Sequence, residues 1–199
     1  MTSTLKKISR RVALTLAVSA CFSPVTQAAE LLTEGVFKVG MEVTYPPFES
    51  YDSNNNIVGL DPDFAALIAQ HLQAKPQLID TKFTSLILGI GKKYDAVISG
   101  MYVTPERQKQ ADAIPYALSG ASIIALKGGA VQPKTEDELC GVKVGLQAGT
   151  TWVTSLKKHS DEWCLKNGKP AITIQEFPTA PEASQALLSK NIDAQLEIA

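Results

Sequence analysis

The chain is poor in several things, and each shortage excludes something. No apolar run in its 199 residues approaches the ~20 needed to cross a bilayer as a helix. A net charge of −1 denies it the basic face that a nucleic-acid partner would require. Of its three cysteines, Cys140 and Cys164 have the wrong spacing for a zinc site, with no third or fourth ligand beside them in the chain, so no metal or cofactor is expected. The shortage of one residue type is the most informative. Beyond residue 28 there is a single arginine, Arg107, against fourteen lysines. What is present is ordinary for a globular protein: 45% hydrophobic residues exclude a disordered chain, and no repeat or low-complexity tract occurs.

Charge is unevenly distributed. Residues 1–28 carry Lys6, Lys7, Arg10 and Arg11 and no acid, whereas the remainder holds 15 basic and 20 acidic residues, a net of −5. The basic stretch precedes the apolar run Val12–Ala20, Pro24 interrupts any continuing helix, and Thr26 and Ala28 are small enough for a signal peptidase. Residues 1–28 therefore read as a signal peptide with a mature start near Ala29, and the protein as periplasmic. The alternative is a lipid anchor, because Val18-Ser19-Ala20-Cys21 resembles a lipobox. Arg10-Arg11 is a weak match to a twin-arginine signal. In an oxidising compartment the two cysteines left after export, Cys140 and Cys164, read as one disulfide.

The pattern of the rest alternates strands and helices. Strands are expected at Val36–Met41, Pro76–Asp80, Tyr94–Ile98, Ala121–Leu126, Gly141–Gln147, Ala171–Phe177 and Ile192–Glu197. Asp61-Pro62-Asp63 reads as N-cap, first-turn proline and first-turn acid of a helix whose inner face is Phe64, Leu67, Ile68, His71 and Leu72. Short helical segments are expected at Phe83–Ile90 and after Thr104-Pro105-Glu106. Two more helices follow, one over Thr150–Lys158 and one opened by a Thr179-x-x-Glu182 capping box. A Gly/Pro-containing stretch at 128–133 reads as a linker. This is an α/β protein of two lobes, residues 36–127 and 134–199, with ligands expected where strand carboxyl ends face the cleft.

Arg107 follows the Tyr94–Ile98 strand across a polar turn. A surface needing only positive charge is served by lysine here, so the position that kept arginine suits a planar fork gripping a carboxylate. A structural ion pair with Glu106 or Asp95 is the alternative.

Six segments then occur in a familiar order: Tyr45-Pro46-Pro47-Phe48-Glu49, Val58-Gly59-Leu60-Asp61-Pro62-Asp63, Tyr94 to Met101, Thr104-Pro105-Glu106-Arg107, Pro115-Tyr116, and Gly145 to Thr151. Together they resemble the periplasmic polar-amino-acid-binding proteins of ABC importers, solute-binding protein family 3. The resemblance implies a type II periplasmic-binding-protein-like clamshell. It would close on a free amino acid, deliver it to an ABC transporter permease in the inner membrane, and act as a monomer. It implies that Arg107, with the N–H groups of Tyr102 and Thr151, binds the α-carboxylate, and that Gly100, beside Ser99, offers its carbonyl to the ammonium. Tyr45 and Phe83 would sandwich the ligand side chain, Glu42 would contact it, and Thr150 and Thr151 would come from the second lobe. Core packing is the other role open to Tyr45 and Phe83. The turn before Thr150 opens a helix whose N-terminus favours an anion independently of the family.

This chain departs from the family pattern at Tyr102, where a small hydroxyl residue is usual, and at Trp152, where a polar one is common. The second-lobe aspartate of the family should fall near Ile198, and the chain offers Glu197 one position early; Glu197 is the expected substitute after a local shift, against the alternation by which adjacent strand side chains face opposite ways. The added rings suit an apolar or aromatic ligand, or a cationic one stacked on them with Glu42 as partner, and the cationic reading is preferred. The chain stops at Ala199, short of the family's usual end. The second lobe is therefore expected to be incomplete, with too few strands to cover its helices, and a polypeptide of residues 29–199 to bind amino acids weakly or not at all. A cyclohexadienyl or arogenate dehydratase-like enzyme on the same fold is the alternative function. It is disfavoured because neither His71 nor His159 falls at a cleft-forming strand end, although Glu42 could serve as an acid. A receptor's sensor domain is a third reading.

Overall fold

A computed structural model describes residues 30–198. The expected signal peptide, its cleavage site and Cys21 lie outside them. Among the described residues no helix is long and apolar enough to cross a membrane.

The first lobe is built on a three-stranded parallel sheet in the order β4-β1-β5, from β1 (Val36–Met41), β4 (Lys75–Asp80) and β5 (Ala96–Val97). A small hairpin, β2 (Ser50–Tyr51) with β3 (Ile57–Val58), lies between β1 and helix α1 (Leu60–His71). Residues of β1 alternate as a buried strand requires. Phe37, Val39 and Met41 pack with Ala65 and Ala69 of α1, while Gly40 lies under the ring of Tyr94. A Cβ at Gly40 or Gly89 would run into that ring, so both glycines are dictated by the close approach. Tyr94 itself is buried, its hydroxyl donating to the Leu86 carbonyl at 2.5 Å. It therefore leaves the strand expected over Tyr94–Ile98, which shortens to Ala96–Val97.

Two features of α1 differ from expectation. Its inner face is formed by Ala65 and Ala69, with Phe64, Ile68 and Leu72 half-buried beside them, whereas Leu67 and His71 are exposed. Small residues let the helix lie close on β1, which rotates Leu67 outward. The helix also starts two residues early, with Gly59 at the N-cap (φ 135°), so Asp61 is its second residue and is fully buried. The carboxylate is thereby released for tertiary hydrogen bonds.

After α2 (Leu86–Gly89, preceded by a 3₁₀ turn at Phe83–Ser85) and α3 (Pro105–Gln108), the chain enters a second sheet. Its order is β6-β9-β7-β8, from β6 (Ala121–Ala125), β7 (Lys143–Gln147), β8 (Thr173–Phe177) and β9 (Ala194–Ile198). β7 runs parallel to β8 and β9, and β6 antiparallel to β9. Residues 121–125 thus pair in the second lobe, although the reading from pattern alone grouped them with the first. The 128–133 stretch connects two strands of one sheet. Recruiting β6 gives this lobe four strands, more than expected.

Helices cover both faces of that sheet. Val144, Leu146 and Leu196 pack with Val153 and Leu156 of α4 (Thr151–His159). Ala186 and Leu187 of α5 (Ala180–Leu188) join Ile192 and Phe177 on the other side, where Gly145 admits the Ile192 side chain. The Thr179–Glu182 capping box opens α5 as expected. Cys140 and Cys164 form the expected disulfide, which ties the start of this lobe to the end of the α4 region across 24 residues. Contrary to the expectation of no third ligand beside the cysteines, His159, close to Cys164 in the chain, comes within 4.8 Å of both sulfurs, but the sulfurs are bonded to each other.

Candidate functional site

Four strand carboxyl ends converge between the lobes. Glu42 follows β1, Ser99-Gly100 follow β5, Gln147 ends β7 and Glu197 lies near the end of β9. They enclose a cavity of ≈ 30 Å³, room for little more than a water. All ten residues singled out from the sequence line it: Glu42, Tyr45, Phe83, Ser99, Gly100, Tyr102, Arg107, Thr150, Thr151 and Glu197. Tyr45 and Phe83 are half-buried at its wall.

Arg107 is positioned by a short capped turn. The Thr104 hydroxyl accepts the Arg107 backbone N–H at 3.2 Å, with Pro105 in the first helical turn. Its guanidinium stands over the Phe83 ring, 5.6 Å from the centroid. Nη1 donates to the Tyr102 carbonyl at 2.7 Å in the first lobe, and Nη2 to the Gly149 carbonyl at 2.9 Å in the second. Neither Glu106 nor Asp95 pairs with it; Asp95 instead accepts from the N–H groups of Leu32 and Lys38. Among the described residues Arg107 has no carboxylate partner, and burial depresses its pKa. A half-buried guanidinium in this state is costly unless an anion joins it.

Against that one cation stand three lining carboxyl groups, those of Glu42, Glu49 and Glu197. Glu42 accepts the Phe83 backbone N–H at 3.2 Å and a hydrogen bond from the Gln147 side-chain amide across the cleft. Burial raises its pKa. Glu197 accepts from the Tyr45 hydroxyl at 2.5 Å, and its other oxygen from Gln195 at 2.7 Å. Strand alternation alone would turn Glu197 from the ligand face. The structure brings it to the cavity because the last residues of β9, Leu196, Glu197 and Ile198, all border it. The Tyr45 phenol is pushed well above its ordinary range, first by burial and then by Glu197.

The second lobe contributes the start of α4. Thr150 is its N-cap residue, yet its hydroxyl donates back to the Gln147 carbonyl at 2.8 Å and makes no cap bond. The first-turn N–H groups thus keep their donor character at the cavity edge. Across the gap Trp152 meets Tyr102 edge-on, centroids 5.0 Å apart.

Reading the sequence missed Glu49, Gln147, Leu196 and Ile198 as lining groups. Glu49 and Gln147 lie inside segments recognised above, but nothing local distinguishes a buried acid that faces a cleft from one that faces solvent. The hydroxyl of Ser99 donates to Glu49 Oε1 at 2.6 Å and accepts the Glu42 N–H at 3.0 Å, so it is already engaged within its own lobe.

The chain is similar to one family model, two curated relatives and a solved structure. The family model described as bacterial extracellular solute-binding proteins, family 3, matches residues 37–196. ABC transporter arginine-binding protein 1 of Escherichia coli (strain K12) is 42% identical over 137 residues, 68% of this chain and 53% of the relative. The L-cystine-binding protein TcyJ of the same strain is 32% identical over 164 residues, 81% of this chain and 58% of the relative. The chain spans little more than half the length of these curated relatives. Among solved structures, an ancestral arginine-binding protein bound to glutamine superposes with a TM-score of 0.74 at 34% identity, covering 83% of this chain and 70% of the other.

Proposed function

Because this chain belongs to the bacterial extracellular solute-binding proteins, family 3, we propose that it captures a free amino acid outside the cytoplasm and presents it to an ABC importer permease in the inner membrane. One observation carries the reading: a half-buried arginine between two lobes, held by carbonyls from both and lacking an internal carboxylate partner. In this role Arg107 grips the α-carboxylate, aided by N–H groups of Tyr102 and Thr151 at the start of α4. Ser99 and Gly100 receive the ammonium, Tyr45 and Phe83 flank the side chain, and Thr150 closes from the second lobe.

The ligand we favour is cationic, in keeping with the carboxylates that outnumber the guanidinium at the cavity. Arginine-binding proteins among the relatives and structural neighbours point the same way. Glu42, released from Gln147 when the cleft opens, and Glu197, released from Tyr45, are the partners for the distal charge. The lining groups fill the closed cleft themselves, so a ligand must first replace these cross-lobe contacts.

Thermal-shift and calorimetric titrations with arginine, lysine, glutamine and glutamate test this. With four strands in the second sheet we set aside the weak or absent binding expected from the sequence, and the expected order is arginine and lysine ahead of glutamine, with glutamate last. Arg107→Met should abolish the response to every one of them, and equal responses to glutamate and arginine would sink the cationic assignment.

A further inference from the structure

At the cavity wall, Glu49 lining it and Asp61 behind, lies an acid pair that the binding roles above leave unused. Glu49 is 1% exposed and Asp61 0%. Their surroundings are unequal. Asp61 lies in the first turn of α1, where the helix dipole favours an anion. It accepts the Gly100 N–H at 3.0 Å and the Tyr116 hydroxyl at 3.0 Å on each oxygen. Glu49 receives one hydrogen bond, from Ser99, on Oε1, and its buried Oε2 has no donor among the described residues, only the Asp61 carboxylate as a partner. A buried carboxylate oxygen without a donor is costly, whereas a carboxyl that keeps its proton there supplies a donor of its own. Asp61 is the neighbouring acceptor.

From this asymmetry we infer that Glu49 is a protonated positioning residue, which holds Ser99, beside the Gly100 that Asp61 holds, for the ligand's ammonium and gives up its proton as that ammonium enters the cleft. The inference rests on the amino-acid-binding reading. The two acids cannot both ionise cheaply in a dry pocket, so one proton is retained, and the partner that receives more hydrogen bonds, Asp61, carries the charge. An ammonium arriving beside Ser99 and Gly100 supplies the missing positive charge and stabilises the second carboxylate. The proton leaves to solvent.

The groups facing Glu49 agree with this assignment. Asp61 from α1 and Glu42 after β1 are both acids and both favour retention of the proton. Tyr116, from the segment before β6, hydrogen-bonds to Asp61, and Arg107 and Glu197 face the same cavity from α3 and β9. Burial, followed by the charge of Asp61, pushes the Glu49 carboxyl up to about 8, while its hydrogen bond with Ser99 pulls the other way. Neither histidine lines the cavity, so no imidazole there competes for a proton exchanged near neutrality.

Calorimetry with L-arginine at pH 7 in phosphate and in Tris, which differ in ionisation enthalpy, reads the proton directly. Release of close to one proton per ligand is expected, with Kd falling up to about tenfold per pH unit below pH 8 and levelling above it. In Glu49→Gln the release should drop by close to one proton, leaving only what Glu42 contributes, and the pH dependence of Kd should weaken accordingly, a change that a purely structural role would not produce. Binding without proton release, or release undiminished by the substitution, overturns the proposal. Infrared difference spectra of ligand-free wild type and Glu49→Gln make a separate check. A protonated-carboxyl band at pH 7 should be present only in the wild type, and its absence overturns the proposal whether or not arginine binds. Failure of every amino acid to bind, with that band present, would instead strike the transport reading.

Discussion

At the scale of single residues, this protein places its costliest groups at one spot. A guanidinium without an anion and a carboxyl kept neutral by burial are both unfavourable for folding, and they border the same cavity. The carboxyl has a measurable signature. Glu49 in the folded chain holds a proton up to about pH 8, while its ordinary value is 4.5, so across that window the folded state binds a proton that the unfolded state has released. Stability therefore falls as pH rises from about 4.5 to 8. Glu42 and Asp61 are raised as well and add to the fall. Thermal melts of the ligand-free protein should show a lower Tm at pH 8 than at pH 5. Glu49→Gln should make that slope shallower and be the more stable protein at pH 8. An unchanged slope would mean that Glu49 is ionised in the folded state.

At the scale of elements, short capped segments aim the site. α3 is only four residues long, and Thr104 fixes the backbone of Arg107 within it. α5 is longer and carries the reciprocal Thr179–Glu182 cap, with the Thr179 N–H donating to Glu182 at 2.9 Å. It packs through Ala180, Ala183 and Ala186 close to the sheet, and β9, the strand that presents Glu197, lies beside it. Thr179→Ala should cost about 1 kcal/mol in urea unfolding, the usual worth of such a cap. A loss within error of zero would show that packing of the alanine face holds the first turn without it.

At the scale of the whole molecule, the lobes are joined by polar contacts across the cleft. Tyr45 reaches Glu197, Gln147 reaches Glu42, and Arg107 reaches the Gly149 carbonyl. Tyr45→Phe removes the first of these and leaves Glu197 with Gln195 alone. Small-angle scattering of the ligand-free variant should give a larger radius of gyration than the wild type. Equal radii would mean that the remaining contacts are enough to keep the cleft shut.

Much of this was legible along the chain, because it depends on neighbours in sequence. Strand and helix periods, the Thr104 and Thr179 caps and the pairing of two cysteines after export are local or combinatorial facts. So is the isolation of Arg107, which composition alone exposes. What local pattern could not decide depends on which surfaces meet. The partner of β6, the burial of Asp61 at a helix start, the rotation of Leu67 outward and the turn of Glu197 into the cleft each follow from packing between segments far apart in sequence. So does the charge state of Glu49, since a carboxyl's proton is set by the water it loses and the charges that approach it, and only the folded chain brings Asp61, Ser99 and Glu42 to it.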